Sequence, residues 1–190
     1  SFERLRTEGF LPNAVTFTCI LKACGSVGAI DKGKQIHDEI VNLGLLKEDL
    51  VLGNALVDMY AKCGVIGRAQ QVHDELCVRD VVSWNALITG YAQQGLPDEA
   101  MKLYQQMINA NLKPNNIVFA GVLKAIASVG ALDQGKIVHS HINKCLLASD
   151  VLVESNLIDM YAQCRSLPDA IEVFEKSAKR EAAVWNSMMA

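Results

Sequence analysis

The stretch Leu-Val-Asp-Met-Tyr-Ala-Lys-Cys at residues 56–63 returns as Leu-Ile-Asp-Met-Tyr-Ala-Gln-Cys at residues 157–164, 101 residues further on. The stretch Ser-Val-Gly-Ala-Ile-Asp at residues 26–31 returns at residues 128–133 with one isoleucine changed to leucine, 102 residues further on. Similarity of a chain to itself at a fixed spacing is typical of stacked structural repeats. We therefore look for function at a surface position that recurs in every repeat.

The recurring openings divide the chain into five whole units of 36, 31, 35, 35 and 31 residues. Partial units stand at both ends, so we expect this chain to be an excerpt from a longer protein, with any targeting segment upstream. We expect all the units to form one continuous domain. The whole units are 14–49, 50–80, 81–115, 116–150 and 151–181, and the partial ones are 1–13 and 182–190.

Each unit has the pattern of two antiparallel helices. In unit 81–115, residues 84–91 carry apolar side chains at positions i, i+3, i+4 and i+7, as on one face of an amphipathic helix. Gly95 would end this helix in the left-handed conformation, and Pro97 suits the first turn of the next one. No stretch alternates polar and apolar residues over several positions, so no strands are predicted. The predicted fold class is all-α, a solenoid of helix-turn-helix repeats.

Bulk composition disfavours two classes of protein. Hydrophobic residues make up 51% of the chain, but charged residues interrupt each apolar run before it reaches membrane-spanning length, so no membrane span is expected. The formal net charge of −3 provides little general attraction for phosphates, and it favours a protein-binding scaffold as the alternative function. The six cysteines are expected to be free and mostly buried thiols, as in a reducing compartment.

The nearest enzymatic signal is the motif His-x-Glu, which begins at His37 and again at His73. Zinc cytidine deaminases combine this motif with Cys-x-x-Cys, a spacing that does not occur in this sequence. His37 also returns as His139, which indicates a repeat position rather than a catalytic one. His141 and Cys145 could share a helix face as metal ligands, but nothing nearby completes a four-ligand site. We therefore expect no catalytic residue, no metal and no cofactor.

Two features carry a resemblance to a known family. The unit lengths alternate between 35 or 36 and 31 residues, and a polar uncharged residue recurs at the fifth position of a unit, as Thr18, Asn54, Asn85, Ser155 and Asn186. The chain resembles a plant organellar pentatricopeptide repeat protein of the PLS subclass. The resemblance implies a right-handed solenoid located in the chloroplast or mitochondrion. Its units would be L (14–49), S (50–80), P (81–115), L (116–150) and S (151–181), between two partial P units.

Proteins of this family bind single-stranded RNA with one base per repeat. The resemblance implies that the fifth and last residues of a unit hydrogen-bond the edge of one base, while the second residue packs against base faces. The base-edge residues would be Thr18, Asp49, Asn54, Asp80, Asn85, Asn115, Asp150 and Ser155, with Asn13 and Asn186 as halves of incomplete pairs. The base-packing residues would be Val15, Val51, Val82, Ile117, Leu152 and Ala183. The RNA would run 5′ to 3′ as the chain runs from its N-terminus to its C-terminus.

The resemblance also implies base preferences for individual pairs. They are uracil for Asn54–Asp80, a pyrimidine with cytosine above uracil for Asn85–Asn115, and guanine for Thr18–Asp49, although L units follow this code poorly. Two pairs depart from the pattern and would read weakly or not at all, namely Ala120–Asp150 and Ser155–Glu181.

Simpler structural roles compete with these assignments. Asp and Asn directly before a helix are favoured as N-caps, and capping alone could explain the last residues of the units. Trp84 and Trp185 lie on apolar stripes, so we expect them in the core rather than in base stacking. Lys62 could touch phosphate, although a solvated lysine is the simpler interpretation.

The predicted function is sequence-specific binding of single-stranded RNA that selects an organellar site for C-to-U editing. The chemistry would reside in a domain or a partner outside these residues. The resemblance further implies that multiple organellar editing factor proteins bind the L units. Because repeat arrays need polar capping repeats, self-association through uncapped ends is also expected. The alternative function is a helical scaffold that binds another protein.

Overall fold

A computed structural model of the chain describes residues 12–47 and 49–177. Every regular element in these ranges is a helix, which confirms the predicted all-α fold. The longer helices are α1 (Ala14–Val27), α2 (Ile30–Asn42), α3 (Leu50–Lys62), α4 (Ile66–Glu75), α5 (Val81–Gln93), α6 (Pro97–Asn109), α7 (Asn116–Val129), α8 (Leu132–Lys144) and α9 (Val151–Gln163). A short 3-10 helix, Leu45–Lys47, precedes α3, and residues 167–177 form α10.

The first helix of each whole unit begins where a polar side chain caps it. Asn13, Asp49, Asn115 and Asp150 each accept hydrogen bonds from backbone N–H groups in the first turn of α1, α3, α7 and α9. Asp80 does the same for α5, since its Oδ1 accepts from the N–H groups of Val82 and Ser83 at 3.0 Å each. An uncapped first turn leaves four N–H groups without partners, so these residues fix where each first helix starts.

The turns between the paired helices depend on left-handed backbone conformations. Gly28 and Gly130 end α1 and α7 with φ angles of 71° and 67°, which glycine adopts without steric cost. At the corresponding turn of unit 50–80, Gly64 has a φ of 79°. Arg165 occupies that place in unit 151–181 and holds a φ of 58° although it carries a side chain.

The helices form two compact parts, one up to Gly90 and the other from Tyr91. In the N-terminal part, α1 packs against α3, while α2 and α4 pack against the first helices of their own units. In the C-terminal part, α7 packs against α9, and α6 and α8 pack against α7. The apolar stripes predicted from the sequence supply both cores, for example through Phe17 and Leu56 in the first part and Phe119 and Leu157 in the second.

Each of the four histidines contacts an aromatic ring of a neighbouring unit. His37 Nδ1 lies 2.9 Å from the hydroxyl of Tyr60, and His139 Nδ1 lies 2.8 Å from that of Tyr161. The remaining two contacts are a hydrogen bond of 2.9 Å between Tyr104 and His141 and an edge-on stacking of His73 against Trp84 at 4.6 Å between ring centroids. The two His-x-Glu motifs of the sequence therefore begin at histidines that join repeats.

The cysteine prediction is correct for bonding and wrong in part for burial. All six cysteines are free, and only Cys24 is buried, while Cys63, Cys145 and Cys164 are half-buried. Cys19 and Cys77 are exposed because they lie off the apolar stripes: Cys19 is on an exposed face of α1, and Cys77 follows the end of α4.

Trp84 is 5% exposed, as expected for a core residue. Several other predictions fall on residues outside the described ranges, namely those for Glu181, Ala183, Trp185, Asn186 and most of the partial units. Among the described helices, none is both long and apolar enough to cross a membrane.

Candidate nucleic-acid interface

A depression of about 380 Å³ crosses the first helices of the N-terminal part, and we call it the Asn54 depression. It brings together the fifth, second and last residues of unit 50–80 with the second and fifth residues of unit 81–115. Its lining consists of Lys22, Val51, Asn54, Ala55, Asp58, Asp80, Val82, Asn85 and Ala86. Five of the sequence positions assigned to base contacts, all in units 50–80 and 81–115, therefore meet at one surface site in this part.

Asn54 and Asp80 are joined directly across this depression. Asn54 Nδ2 donates to Asp80 Oδ2 at 2.9 Å and to Asp80 Oδ1 at 3.1 Å. A carboxylate can only accept, so this bond fixes which end of the Asn54 amide faces Asp80. The Asp80 carboxylate is itself held by the N–H groups that it caps at the start of α5. The pair is thus a rigid unit that caps a helix and orients an amide.

The carbonyl end of Asn54 has no hydrogen-bond partner. Asn54 is only 8% exposed, and its Oδ1 is shielded from water without accepting a hydrogen bond. A buried carbonyl oxygen without a donor costs roughly 1–3 kcal/mol. A ligand N–H group that displaces the atoms covering this oxygen and donates to it would remove this cost.

Exposed aliphatic side chains flank the polar pair. Val51 and Val82, the second residues of units 50–80 and 81–115, both line the depression and are more than half exposed. All five predicted base-packing residues in the described ranges are between 44% and 70% exposed: Val15, Val51, Val82, Ile117 and Leu152. Large aliphatic groups at the start of capped helices are available to pack against a flat ring.

Charged groups surround the depression without giving it a uniform sign. Lys22 reaches it from α1, and Asp58 lines it from α3. Lys62, which the sequence suggested as a solvated or phosphate-binding lysine, pairs with Asp58 at 2.7 Å on the exposed surface. Lys22 is therefore the cation in the lining beside the polar pair, and it is not among the residues predicted from the sequence.

The remaining predicted pairs of the N-terminal part look different. Thr18 is buried, while Asp49 caps α3 by accepting from Leu52 N–H at 3.0 Å, and the described residues show no hydrogen bond between the two. Asn85 is half-buried in the Asn54 depression, where its Oδ1 accepts from the Thr89 hydroxyl at 3.3 Å. Its predicted partner Asn115 belongs to the C-terminal part, so their pairing stays a prediction.

In the C-terminal part, Asp150 accepts a hydrogen bond from an amide at an unexpected position of its unit. Asn116 Nδ2 donates to Asp150 Oδ2 at 3.0 Å, and Asn116 is the first residue of its unit rather than the fifth. Ala120, at the fifth position, is buried and has no polar side-chain atom. Ser155 turns its hydroxyl to the backbone carbonyl of Leu152 at 3.1 Å.

The capping interpretation is confirmed for the last residues that lie in the described ranges. Asn13 Oδ1 accepts from Thr16 N–H at 2.9 Å, and Asn115 Oδ1 accepts from Val118 N–H at 3.0 Å. Capping does not compete with the pairing of Asp80 and Asp150, because each of these carboxylates caps a helix and accepts an amide proton at once. A structural and a recognition role are compatible in the same side chain.

The described residues contain no cluster of three or more side chains that could hold a metal ion. His141, one of the two metal ligands considered from the sequence, is bonded to Tyr104 through Nδ1. Burial lowers the pKa of His37, His73 and His139 below the ordinary histidine value because a buried imidazolium loses its hydration. Neutral histidines packed against aromatic rings are structural contacts.

Comparison with known proteins gives consistent matches over the whole chain. The model described as "PPR repeat family" matches residues 79–128, and the model described as "PPR repeat" matches residues 15–45 and 155–180. A chloroplastic pentatricopeptide repeat-containing protein of Arabidopsis thaliana is 37% identical over 188 residues, covering 99% of this chain and 31% of the relative. A mitochondrial one from the same plant is 36% identical over 189 residues, covering 100% of this chain and 18% of the relative.

Solved structures agree with this assignment. The pentatricopeptide repeat protein PPR10 in complex with an 18-nt psaJ RNA element has a TM-score of 0.76 and 25% identity, over 96% of this chain and 27% of PPR10. The PPR domain of Arabidopsis thaliana protein-only RNase P 1, solved with tRNA, shares the fold with a TM-score of 0.67 at 12% identity, over 84% of this chain and 86% of that domain.

The chain spans a third or less of the length of the curated relatives that it matches. Within that span, the helical pairs, the recurring caps and the matched repeat models all point the same way. The chain belongs to the pentatricopeptide repeat family.

Proposed function

We propose that this chain binds single-stranded RNA, with one base at each first-helix site, and that unit 50–80 selects uracil. The observation that supports this most directly is the Asn54–Asp80 pair, with its unpartnered carbonyl oxygen in a depression between two exposed valines. The RNA complex of PPR10 supports the same substrate class, since that protein matches 96% of this chain.

The chemistry of the pair suits the Watson–Crick edge of uracil. Once one Nδ2 proton of Asn54 is committed to Asp80, the amide retains one N–H donor and the Oδ1 acceptor. Uracil offers a carbonyl acceptor next to its N3–H donor, so two hydrogen bonds can form side by side. Cytosine carries the same two functions in the opposite order, because its N4 amino group donates and its N3 accepts. The direction of the amide, which Asp80 sets, therefore decides between the two pyrimidines.

Val51 and Val82 supply the second element of recognition. A base that enters between them places its two faces against aliphatic groups from consecutive units. Such contacts are insensitive to base identity, because every base has an apolar face. Affinity would therefore come from the valines, and choice of base from the amide.

Electrostatics set the strength of binding. The net charge of −3 supplies little counterion release, so roughly five nucleotides held mostly by uncharged contacts give weak binding to this chain alone. The same charge favours the alternative function, a helical scaffold for a protein partner. Binding that depends on RNA sequence separates the two.

The test is fluorescence anisotropy with short single-stranded RNAs that differ only at the nucleotide facing unit 50–80. Asn54→Thr replaces the amide by a hydroxyl at the fifth position, and the resemblance to this family implies that preference moves from uracil towards guanine. Asn109→Thr is the matched control, because Asn109 is exposed at the end of the second helix α6. An unchanged preference in Asn54→Thr, or equal binding of matched and scrambled RNA by the unaltered chain, would overturn the proposal.

The alternating unit lengths extend this proposal to the biological role. The chain would be part of a PLS-subclass protein that acts on an organellar transcript, where it would select a cytidine for C-to-U editing. Relatives named chloroplastic and mitochondrial support an organellar location. The L units would bind multiple organellar editing factor proteins, and the deaminase would be another domain or another protein. Loss of editing at one transcript site after Asn54→Thr in the full-length protein would support this role, and unchanged editing at all sites would refute it.

A further inference from the structure

Unit 116–150 has alanine where the other whole units carry a polar fifth residue, yet its last residue does not lack a partner. Asp150 Oδ1 accepts the capping N–H groups of Leu152 and Val153 at 3.0 and 3.1 Å, and Asp150 Oδ2 accepts Asn116 Nδ2 at 3.0 Å. The carboxylate is thus held from one side by the helix and from the other by an amide, as Asp80 is in unit 50–80.

We infer that Asn116, the first residue of unit 116–150, replaces the fifth residue as the base-edge reader of that unit and acts with Asp150. The inference rests on the proposed function, since it concerns which side chain meets the fourth of five bases. It assigns a specificity-determining role to a position outside the fifth, second and last residues of the unit.

Helix geometry explains how an amide at the first position of a unit can take the place of one at the fifth position. Residues four apart lie on the same face of a helix with their Cβ atoms roughly 5–6 Å from each other, so Asn116 and Ala120 face the same way one turn apart. A fifth-position side chain such as Asn54 occupies the space in front of the carboxylate. Ala120 carries only a methyl group and is 8% exposed, which leaves that space to the amide from the preceding turn.

The Asn116–Asp150 pair shares one feature with the Asn54 pair, namely exposed aliphatic residues at the second positions of its own unit and of the next unit. Ile117 and Leu152, the second residues of units 116–150 and 151–181, are 50% and 44% exposed. Ile117 directly follows Asn116, and Leu152 lies two residues after Asp150. The Asn116 amide is half-buried, and the described residues provide it with no hydrogen-bond partner other than Asp150. The amide therefore retains one N–H donor and one carbonyl acceptor.

The base that this arrangement takes is uracil. As in the Asn54 pair, the carboxylate binds the Nδ2 end of the amide and fixes its direction. The remaining N–H donor and the carbonyl acceptor of Asn116 then match the edge of uracil, where a carbonyl lies next to N3–H. Adenine would need the amide turned around, because its amino group donates and its N1 accepts. Guanine presents O6 next to N1–H in the same order as uracil, but its larger ring system would need the amide set further from the backbone.

The experiment measures dissociation constants of the whole chain for RNAs that carry A, C, G or U at the fourth of five nucleotides, since the 5′ nucleotide faces unit 14–49. The unaltered chain should prefer uracil there by about fivefold or more, the discrimination of a good two-bond contact. Asn116→Ala should bring that preference close to one and leave the preference at the second nucleotide intact. Asn143→Ala, an exposed asparagine on the second helix α8 of the same unit, should change neither.

Two further variants keep the inference falsifiable if Asn116→Ala lowers stability. Asn116→Asp retains a residue favoured in a first helical turn but cannot donate to Asp150, so the uracil preference should again disappear. Adding Ala120→Asn to Asn116→Ala returns the amide to the fifth position and should restore it. If Asn54→Thr shifts the second-nucleotide preference while both Asn116 variants leave the fourth unchanged, this inference is wrong and the proposed function stands. If neither site responds, the proposed function fails first.

Discussion

Replacing Asp80 with asparagine should reverse the base preference of unit 50–80 from uracil to cytosine. Oδ1 of residue 80 must remain an oxygen, because it accepts the N–H groups of Val82 and Ser83 at 3.0 Å each. In Asp80→Asn the new Nδ2 therefore takes the place of Oδ2, which lies 2.9 Å from Asn54 Nδ2. Two amino groups cannot bond there, and an unturned Asn54 would keep only its 3.1 Å bond from Nδ2 to Oδ1. We therefore expect the Asn54 amide to turn over, because its carbonyl oxygen, which otherwise has no hydrogen-bond partner, then accepts from the new Nδ2.

The size of the effect follows from the hydrogen bonds that change. The turned amide offers its donor and acceptor in the order that cytosine needs, and a two-bond contact to a base edge discriminates by about 1–3 kcal/mol. That range corresponds to roughly 5- to 140-fold in the ratio of dissociation constants for uracil and cytosine. The fold should tolerate the change, because asparagine caps as well as aspartate and the lost charge at the start of α5 costs only about 0.3–1 kcal/mol.

The assay is a fluorescence anisotropy titration with RNAs that carry U or C at the second of five nucleotides. Asp49→Asn is the matched control, since Asp49 also caps a first helix but receives no amide proton from a fifth residue in the described ranges. It should leave the second-nucleotide preference unchanged. A retained uracil preference in Asp80→Asn, with the helical circular dichroism signal intact, would show that the carboxylate does not set the direction of Asn54.

Two predictions concern stability. Burial lowers the folded-state pKa of His37, His73 and His139, so the unfolded chain takes up protons first as pH falls below about 6.5. The urea midpoint of unfolding should therefore be lower at pH 5.5 than at pH 7.5, and replacing His37 with phenylalanine should reduce this difference. An equal midpoint at both pH values would refute this reasoning. Arg165 has a left-handed backbone conformation with a φ of 58°, and Arg165→Gly removes the steric strain of its side chain there. This variant should stabilise the chain by about 0.5–1 kcal/mol in a urea titration, whereas Gly64→Arg should destabilise it. A lower urea midpoint for Arg165→Gly would contradict this prediction.

Much of the fold was predictable because capping and periodicity are local properties. Asn13, Asp49, Asn115 and Asp150 each precede an apolar stripe, and the first helices begin directly after them. The turn before α4 likewise contains Gly64 with a positive φ, as its place between two stripes indicates. Such features depend on a few neighbouring residues, which sequence patterns report directly.

The contacts between units were harder to derive, although part of their signal was present. His37 and Tyr60 return as His139 and Tyr161 at offsets of 102 and 101 residues, and this joint recurrence marks a pair. The sequence shows no such joint recurrence for the Asn116–Asp150 bond, because this bond depends on the rotamer of one amide and on the space left by Ala120. Side-chain geometry of this kind becomes visible only once the backbone is known.

The ring contacts of the four histidines have a consequence for how the array melts. In a linear repeat protein, stability is a sum of intrinsic terms for each hairpin and coupling terms between nearest neighbours. Each histidine bridges two adjacent hairpins, so its contact belongs to the coupling terms. Because burial lowers the pKa of His37, His73 and His139, mild acid would weaken these three couplings before it weakens any single hairpin. The array would then come apart segment by segment rather than in one transition.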